Sequence, residues 1–236
     1  MNPRKKKILA GLLILLGIVG IVAEIILIAT YDRYLSGENS NPEKRWNMLA
    51  YFTQITNITV DVWLILVGIA VLFDKQKLYK FLTKPQIQGA LSLYILVVGA
   101  VYCGILFPIT RDYYSAAAWW GNAVNIWHHI IVPTGMVVLW CIMPHKGRLK
   151  RRTMWFWMIY PMSYLLFSEI RGLIVGWYPY PFLDPGSGIL FPVGLITLTA
   201  SFIGLGFAFI WYHNKRAKNQ ALLSEEPATV EEEKPI

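Results

Sequence analysis

The chain has 236 residues, of which 56% are apolar and 15% charged, where a soluble domain carries about a quarter charged. Its composition excludes a soluble enzyme, a collagenous protein and a disulfide-stapled secreted domain, and its 14% aromatic content argues against disorder. The formal net charge is +8, but Lys and Arg fall in short clusters between apolar blocks and form no basic face interleaved with aromatics, so nucleic acid is excluded as a partner.

Six blocks have the length and apolar content of membrane helices, for which about 20 residues suffice. In chain order they are Ile8–Thr30, Asn47–Phe73, Ile87–Pro108, Asn122–Met143, Met154–Val175 and Ile189–Tyr212. The first follows Arg4-Lys5-Lys6-Lys7 and continues through Ile25-Ile26-Leu27-Ile28. That run is longer than the apolar core of a signal peptide, so a retained helix is expected. The predicted fold is therefore all-α: a polytopic integral membrane protein with six transmembrane helices spanning a 1–218 domain. Residues 219–236 read as a disordered acidic cytoplasmic tail, with Glu225, Glu226, Glu231, Glu232 and Glu233 beside Pro227 and Pro235.

An even number of spans puts both ends on one side. The N-terminus, the 74–86 and 144–153 loops and the C-terminal tail together hold 17 Lys and Arg, against 4 in the 31–46, 109–121 and 176–188 loops. The positive-inside rule then predicts cytoplasmic N- and C-termini in the plasma membrane. Cys103 and Cys141 fall near opposite ends of neighbouring spans, so no disulfide between them is expected.

Ionisable side chains inside a bilayer cost several kcal/mol and point to function. Here they are Glu24, Asp61, His128, His129, Glu169 and Arg171. Counted along the spans, all but Asp61 fall in the outer third, level with Thr53, while Asp61 lies near the middle. On the second span Thr53, Thr56, Asn57 and Asp61 recur at steps of three and four and form one polar stripe. On the fourth, Asn122, Asn125 and His129 do the same, with His128 turned about 100° away. Facing stripes would bring a hydroxyl, an imidazole and amide donors together, the groups that nucleophilic catalysis requires.

Each of these residues also has a plainer reading. Thr and Asn commonly join membrane helices by hydrogen bonds, and a single intramembrane His is more often a packing residue than a catalyst. Arg171 is expected to pair with Glu24 or to extend to the interface. The stretch from Trp177 to Gly186, with Tyr178, Tyr180, Asp184 and three prolines, is stiff; it reads as an interfacial aromatic belt or as the rim of the polar cavity. Pro133 and Pro161 should loosen the fourth and fifth helices. Of the four histidines, His145 and His213 fall outside this level, and no HExxH, CxxC, GxGxxG, P-loop or GxSxG pattern occurs. Neither a metal nor a cofactor is expected.

Three motifs together resemble one family. Tyr51-Phe52-Thr53-Gln54-Ile55-Thr56-Asn57 resembles its F-T-x-x-[ST]-N element, and Asn125-Ile126-Trp127-His128-His129 followed by Pro133 resembles its histidine helix. Arg171-Gly172 with the run Gly176 to Asp184 resembles its outer loop. The family is that of the androgen-induced membrane protein and the androgen-dependent TFPI-regulating protein, with bacterial relatives of the same six-helix plan. The resemblance implies a threonine hydrolase of fatty-acid esters of hydroxy fatty acids, with Thr53 as nucleophile and His129 as general base. Counting back from Pro133 selects His128 instead, so both remain candidates. Asn57, Asn125 and Thr56 would position the substrate or stabilise the oxyanion. Glu24, Asp61, Glu169, Arg171, Tyr178, Tyr180 and Asp184 would line the cavity or its rim. Membrane lipids and a lipid ester are the expected partners. The alternative is a non-enzymatic transporter or lipid-binding protein, in which Glu24, Asp61 and Arg171 line a path.

Overall fold

The computed structural model describes residues 2–29, 42–108, 119–143 and 147–225. The expectations for Thr30, His145 and the acidic run from Glu226 onward lie outside the described residues. Among the described residues eight α-helices run in chain order: α1 (Pro3–Ala29), α2 (Phe52–Leu72), α3 (Gln76–Leu82), α4 (Pro85–Val101), α5 (Trp119–Ile126), α6 (Val132–Ile142), α7 (Thr153–Val175) and α8 (Leu190–Glu225). A 3-10 helix over Pro42–Ala50 leads into α2, and two short 3-10 turns, Pro181–Leu183 and Pro185–Ser187, precede α8. The chain is an all-helical, multi-pass membrane protein.

The expected count of six spans is corrected to five. Among the described residues, the helices long and apolar enough to cross a membrane are Pro3–Ala29, Phe52–Leu72, Pro85–Leu106, Asn122–Ile142 and Leu190–Asn219. The expected fifth span does form a 23-residue helix, α7, but its composition falls short. Tyr160, Pro161, Ser163, Tyr164, Ser168, Glu169 and Arg171 interrupt its apolar residues, and charged groups weigh heavily against insertion. The placement of both termini in the cytoplasm depends on an even count and falls with it. At the far end α8 stays helical to Glu225, past the boundary expected at residue 218.

Packing follows residue size. α1 shows its large side chains to the outside, with Leu15, Ile18, Val22 and Ile25 exposed, and buries Ala10, Gly17, Gly20 and Ala23. These small residues let α1 lie along α2 at close range, the device by which membrane helices associate without a hydrophobic driving force. α2 and α4 are the most buried spans and form the centre. Trp63 ties α2 to the short α3 by donating to the Leu82 carbonyl at 3.0 Å. α4 packs on α6, where Ser92 donates to the Met136 carbonyl at 3.2 Å. α7 joins α4 through Trp157, which donates to the Gln86 carbonyl at 2.8 Å and accepts at its own carbonyl from the Tyr94 hydroxyl at 2.7 Å.

Two of these helices contain a wider turn. α4 continues as a π-helical segment over Tyr102–Leu106, and α5 passes into α6 through another over Trp127–Ile131. Pro133 comes two residues later, and with no N–H it cannot bond the His129 carbonyl as a regular helix would. That carbonyl lies instead against Gly99 of α4, where a side chain would have no room. Cys103 and Cys141 are both free thiols.

Candidate functional site

The residues singled out in the sequence gather at one end of the bundle but divide between two places. α2 begins at Phe52, and neighbouring side chains on a helix diverge by about 100°. Thr53 and Gln54 therefore face different neighbours. Thr53 lines an apolar cavity of ≈ 80 Å³ walled by α2, α4, α7, α8 and the 177–188 connection. Gln54 faces α1.

At the cavity, the Thr53 hydroxyl is 3.2 Å from the Tyr180 hydroxyl, and the Thr53 backbone N–H donates to the same phenol oxygen at 3.4 Å. With that oxygen accepting from the amide, the Tyr180 proton is the one left to point at Oγ1. Tyr180 is held in place by aromatic packing. Its ring stacks on Phe182 at 5.0 Å and meets Tyr51 edge-on at 5.3 Å. Burial pushes the Tyr180 phenol from its ordinary 10.0 up to about 12, against the opposing hydrogen bonds from Thr53. At neutral pH it is a donor. One turn on, Thr56 Oγ1 lies 3.1 Å from the Tyr160 hydroxyl, and Tyr164 donates to the Ala50 carbonyl at 2.9 Å. Apart from Thr53, Thr199 and two tyrosines, the cavity wall is built of aliphatic and aromatic side chains, Val98, Pro161, Leu183 and Phe202 among them.

The second place lies between α1, α2 and the π-helical segment after α5. Glu24 is 2% exposed, and its carboxylate is 3.4 Å from His128 Nε2. Gln54, with its amide nitrogen turned toward α1, donates to the two Glu24 oxygens at 2.8 and 3.0 Å. Asn57 donates to the Thr53 carbonyl at 2.9 Å and to the His128 carbonyl at 3.4 Å, and so ties the two places together. Asp61 is fully buried against Gly20 of α1, and neither of its carboxylate oxygens has a hydrogen-bond partner among the described residues.

The two histidines part here. A regular helix would set His129 on the stripe of Asn122 and Asn125 and turn His128 aside. His129 does share that face, meeting the same Tyr102 as Asn125, but it is half-buried, whereas His128 is 1% exposed and faces Glu24. His129 Nδ1 is 3.0 Å from the Asn125 carbonyl, and its ring stacks on Tyr102 with centroids 4.0 Å apart. Asn125 donates to the Tyr102 hydroxyl. Among the described residues the Thr53 hydroxyl thus bonds to Tyr180 and to neither imidazole.

The rim residues have separate tasks. Arg171 donates to Asn47 and lies over the Trp177 ring at 5.2 Å, away from Glu24, whose partners are His128 and Gln54. The Tyr178 ring rests directly on Gly172, where any β-carbon would collide with it. Asp184 accepts from the Gly186 N–H at 2.8 Å and caps a 3-10 turn. Glu169 is half-buried on α7 with Oε1 unbonded among the described residues. Sequence reasoning missed Gln54 and Tyr102. The spacing of seven from Gln54 to Asp61, which puts both on one helical face, is the signal that could have found the first.

Among the described residues no group of three or more His, Cys, Asp and Glu could hold a metal ion. No family model, no curated protein and no solved structure matches the chain.

Proposed function

We propose that the protein is an intramembrane lipid-ester hydrolase with Thr53 as nucleophile, acting at the plasma membrane on a substrate drawn from the bilayer. The observation that carries this reading is a buried threonine hydroxyl on the wall of an apolar cavity, fixed by a neutral phenol. An acyl chain suits such a wall, and an ester carbonyl at its end meets the hydroxyl. Thr53 Oγ1 attacks the carbonyl carbon and its proton goes to a histidine, His129 or His128 by the family resemblance, which must first turn toward Oγ1 from its present partner. The carbonyl oxygen becomes an oxyanion. The expected donors Asn57 and Asn125 are already bonded elsewhere, so the Tyr180 O–H is the group that stabilises it. The alkoxide leaves with the proton, and water then cleaves the threonyl ester.

A lipid-binding protein without chemistry is the second reading, favoured by the engagement of both imidazoles away from Thr53. A fluorophosphonate probe separates the two. The hydrolase is labelled at Thr53, and Thr53→Ala abolishes labelling while a fluorescent fatty acid still binds. Labelling that persists in Thr53→Ala removes this nucleophile. Fatty-acid binding with no labelling of the wild-type chain leaves the binding protein.

A further inference from the structure

A second concavity lies along α4 and α7 nearer their starts than the Thr53 cavity. It is an open groove of ≈ 540 Å³ where the start of α4 meets the start of α7. Its floor is apolar, formed by Ile87, Ala90, Leu91, Phe156 and Trp157. Arg148, Lys150 and Arg152 line it too. All three are exposed, and no hydrogen bond or ion pair engages any of their side chains among the described residues. No Asp or Glu lines the groove. A charge bias toward one side of the membrane accounts for basic residues in this loop, but not for three of them converging on one apolar slot with no acidic neighbour.

The groove also sits at a defined level. Pro85 is the first residue of a membrane span, so Gln86 and Ile87 lie where the hydrocarbon core gives way to headgroups. An amphiphile entering there would lay a chain along Ala90, Leu91 and Phe156 and leave its polar end among the three cations. The first amides of α7 cannot supply the attraction. Thr153, Met154 and Trp155 N–H already bond the carbonyls of Lys150, Arg151 and Arg152 at 2.9, 3.1 and 3.1 Å. Recognition therefore falls to the side chains.

We propose that this groove is a binding site for an anionic glycerophospholipid, with Arg148, Lys150 and Arg152 holding the phosphate and Phe156 and Leu91 flanking an acyl chain. Basic pockets between membrane helices recognise lipid headgroups in this way. The site is independent of Thr53 and of any ester chemistry there.

The full-length chain, delipidated in neutral detergent, tests it by titration with phosphatidylglycerol and phosphatidylcholine followed by native mass spectrometry. Phosphatidylglycerol should bind the more tightly. Each cation near an anionic surface contributes about fivefold, so the exposed triple change Arg148→Gln, Lys150→Gln and Arg152→Gln should weaken it by roughly a hundredfold. Arg4→Gln, Lys5→Gln and Lys7→Gln remove the same charge from exposed positions on α1 and should leave the affinity within about twofold. Equal affinity for the two lipids overturns the proposal. So does an equal loss in the α1 variant, which would mean general attraction to charge. Displacement by inorganic phosphate at matched concentration also overturns it, because the groove would then take a free anion and not a lipid.

Discussion

Thr53 and Tyr180 make one unit, a hydroxyl and an amide gripping the same phenol from the first turn of α2. Removing the phenolic oxygen while keeping the ring is the sharpest probe of it. Tyr180→Phe preserves the stack on Phe182 and should slow fluorophosphonate labelling of Thr53 by on the order of a hundredfold, the cost of losing one oxyanion donor; the labelling time course measures it. The sign of the pH effect comes from burial. A phenol raised from 10.0 to about 12 stays neutral through the physiological range. Its contribution to stability is complete below pH 10 and lost as pH rises through about 12. A difference titration of wild type against Tyr180→Phe should show this phenolate appearing only near that upper limit, later than an ordinary tyrosine. The sequence marks Thr53 on its polar stripe and Tyr180 in the stiff outer run, but not that the two meet. Residues 127 apart in the chain meet here, and no local period encodes that meeting.

At the scale of the helix, the seam between α1 and α2 depends on absent side chains. Gly20 faces the Asp61 carboxylate with no room for a methyl group. Gly20→Ala should destabilise the bundle by about 1–3 kcal/mol through overpacking. Because the colliding atoms belong to Asp61, pairing it with Asp61→Ala should cost less than the two changes summed, a coupling of about 1 kcal/mol or more. Thermal unfolding of the four chains in detergent gives the cycle. The polar stripe of α2 is readable from its period, since Thr53, Thr56, Asn57 and Asp61 are all buried. The histidine helix is readable only in part: Asn125 and His129 both meet Tyr102, as a regular pitch places them, but the burial of His128 against Glu24 has no local signal. Both histidines lie in the π-helical turn ahead of Pro133, and His128, not His129, is the more buried of the two. A proline is visible in sequence; the wider turn before it is not.

At the scale of the molecule, five helices among the described residues meet the length and composition of membrane spans, and α1 alone turns ten large aliphatic side chains outward. A chain so built should stay with the membrane pellet through an alkaline carbonate wash and enter solution only with detergent, and fractionation checks this. Its membrane class is plain from composition, because apolar blocks of that length have no other use. The number of spans is not. α7 has the length of a span but carries Glu169, Arg171 and several tyrosines, and length without apolar content does not make a span.

α8 runs from the threonine cavity to the loop that carries the three cations. Near one end Leu198, Thr199 and Phe202 wall the cavity beside Thr53. About 22 Å farther along the axis, Asn214 clasps Leu149 by accepting from its amide at 2.8 Å and donating to its carbonyl at 2.9 Å. Leu149 stands between Arg148 and Lys150 in sequence. An uninterrupted helix does not shorten or bend cheaply, so this strut fixes the spacing between the cationic groove and the threonine pocket.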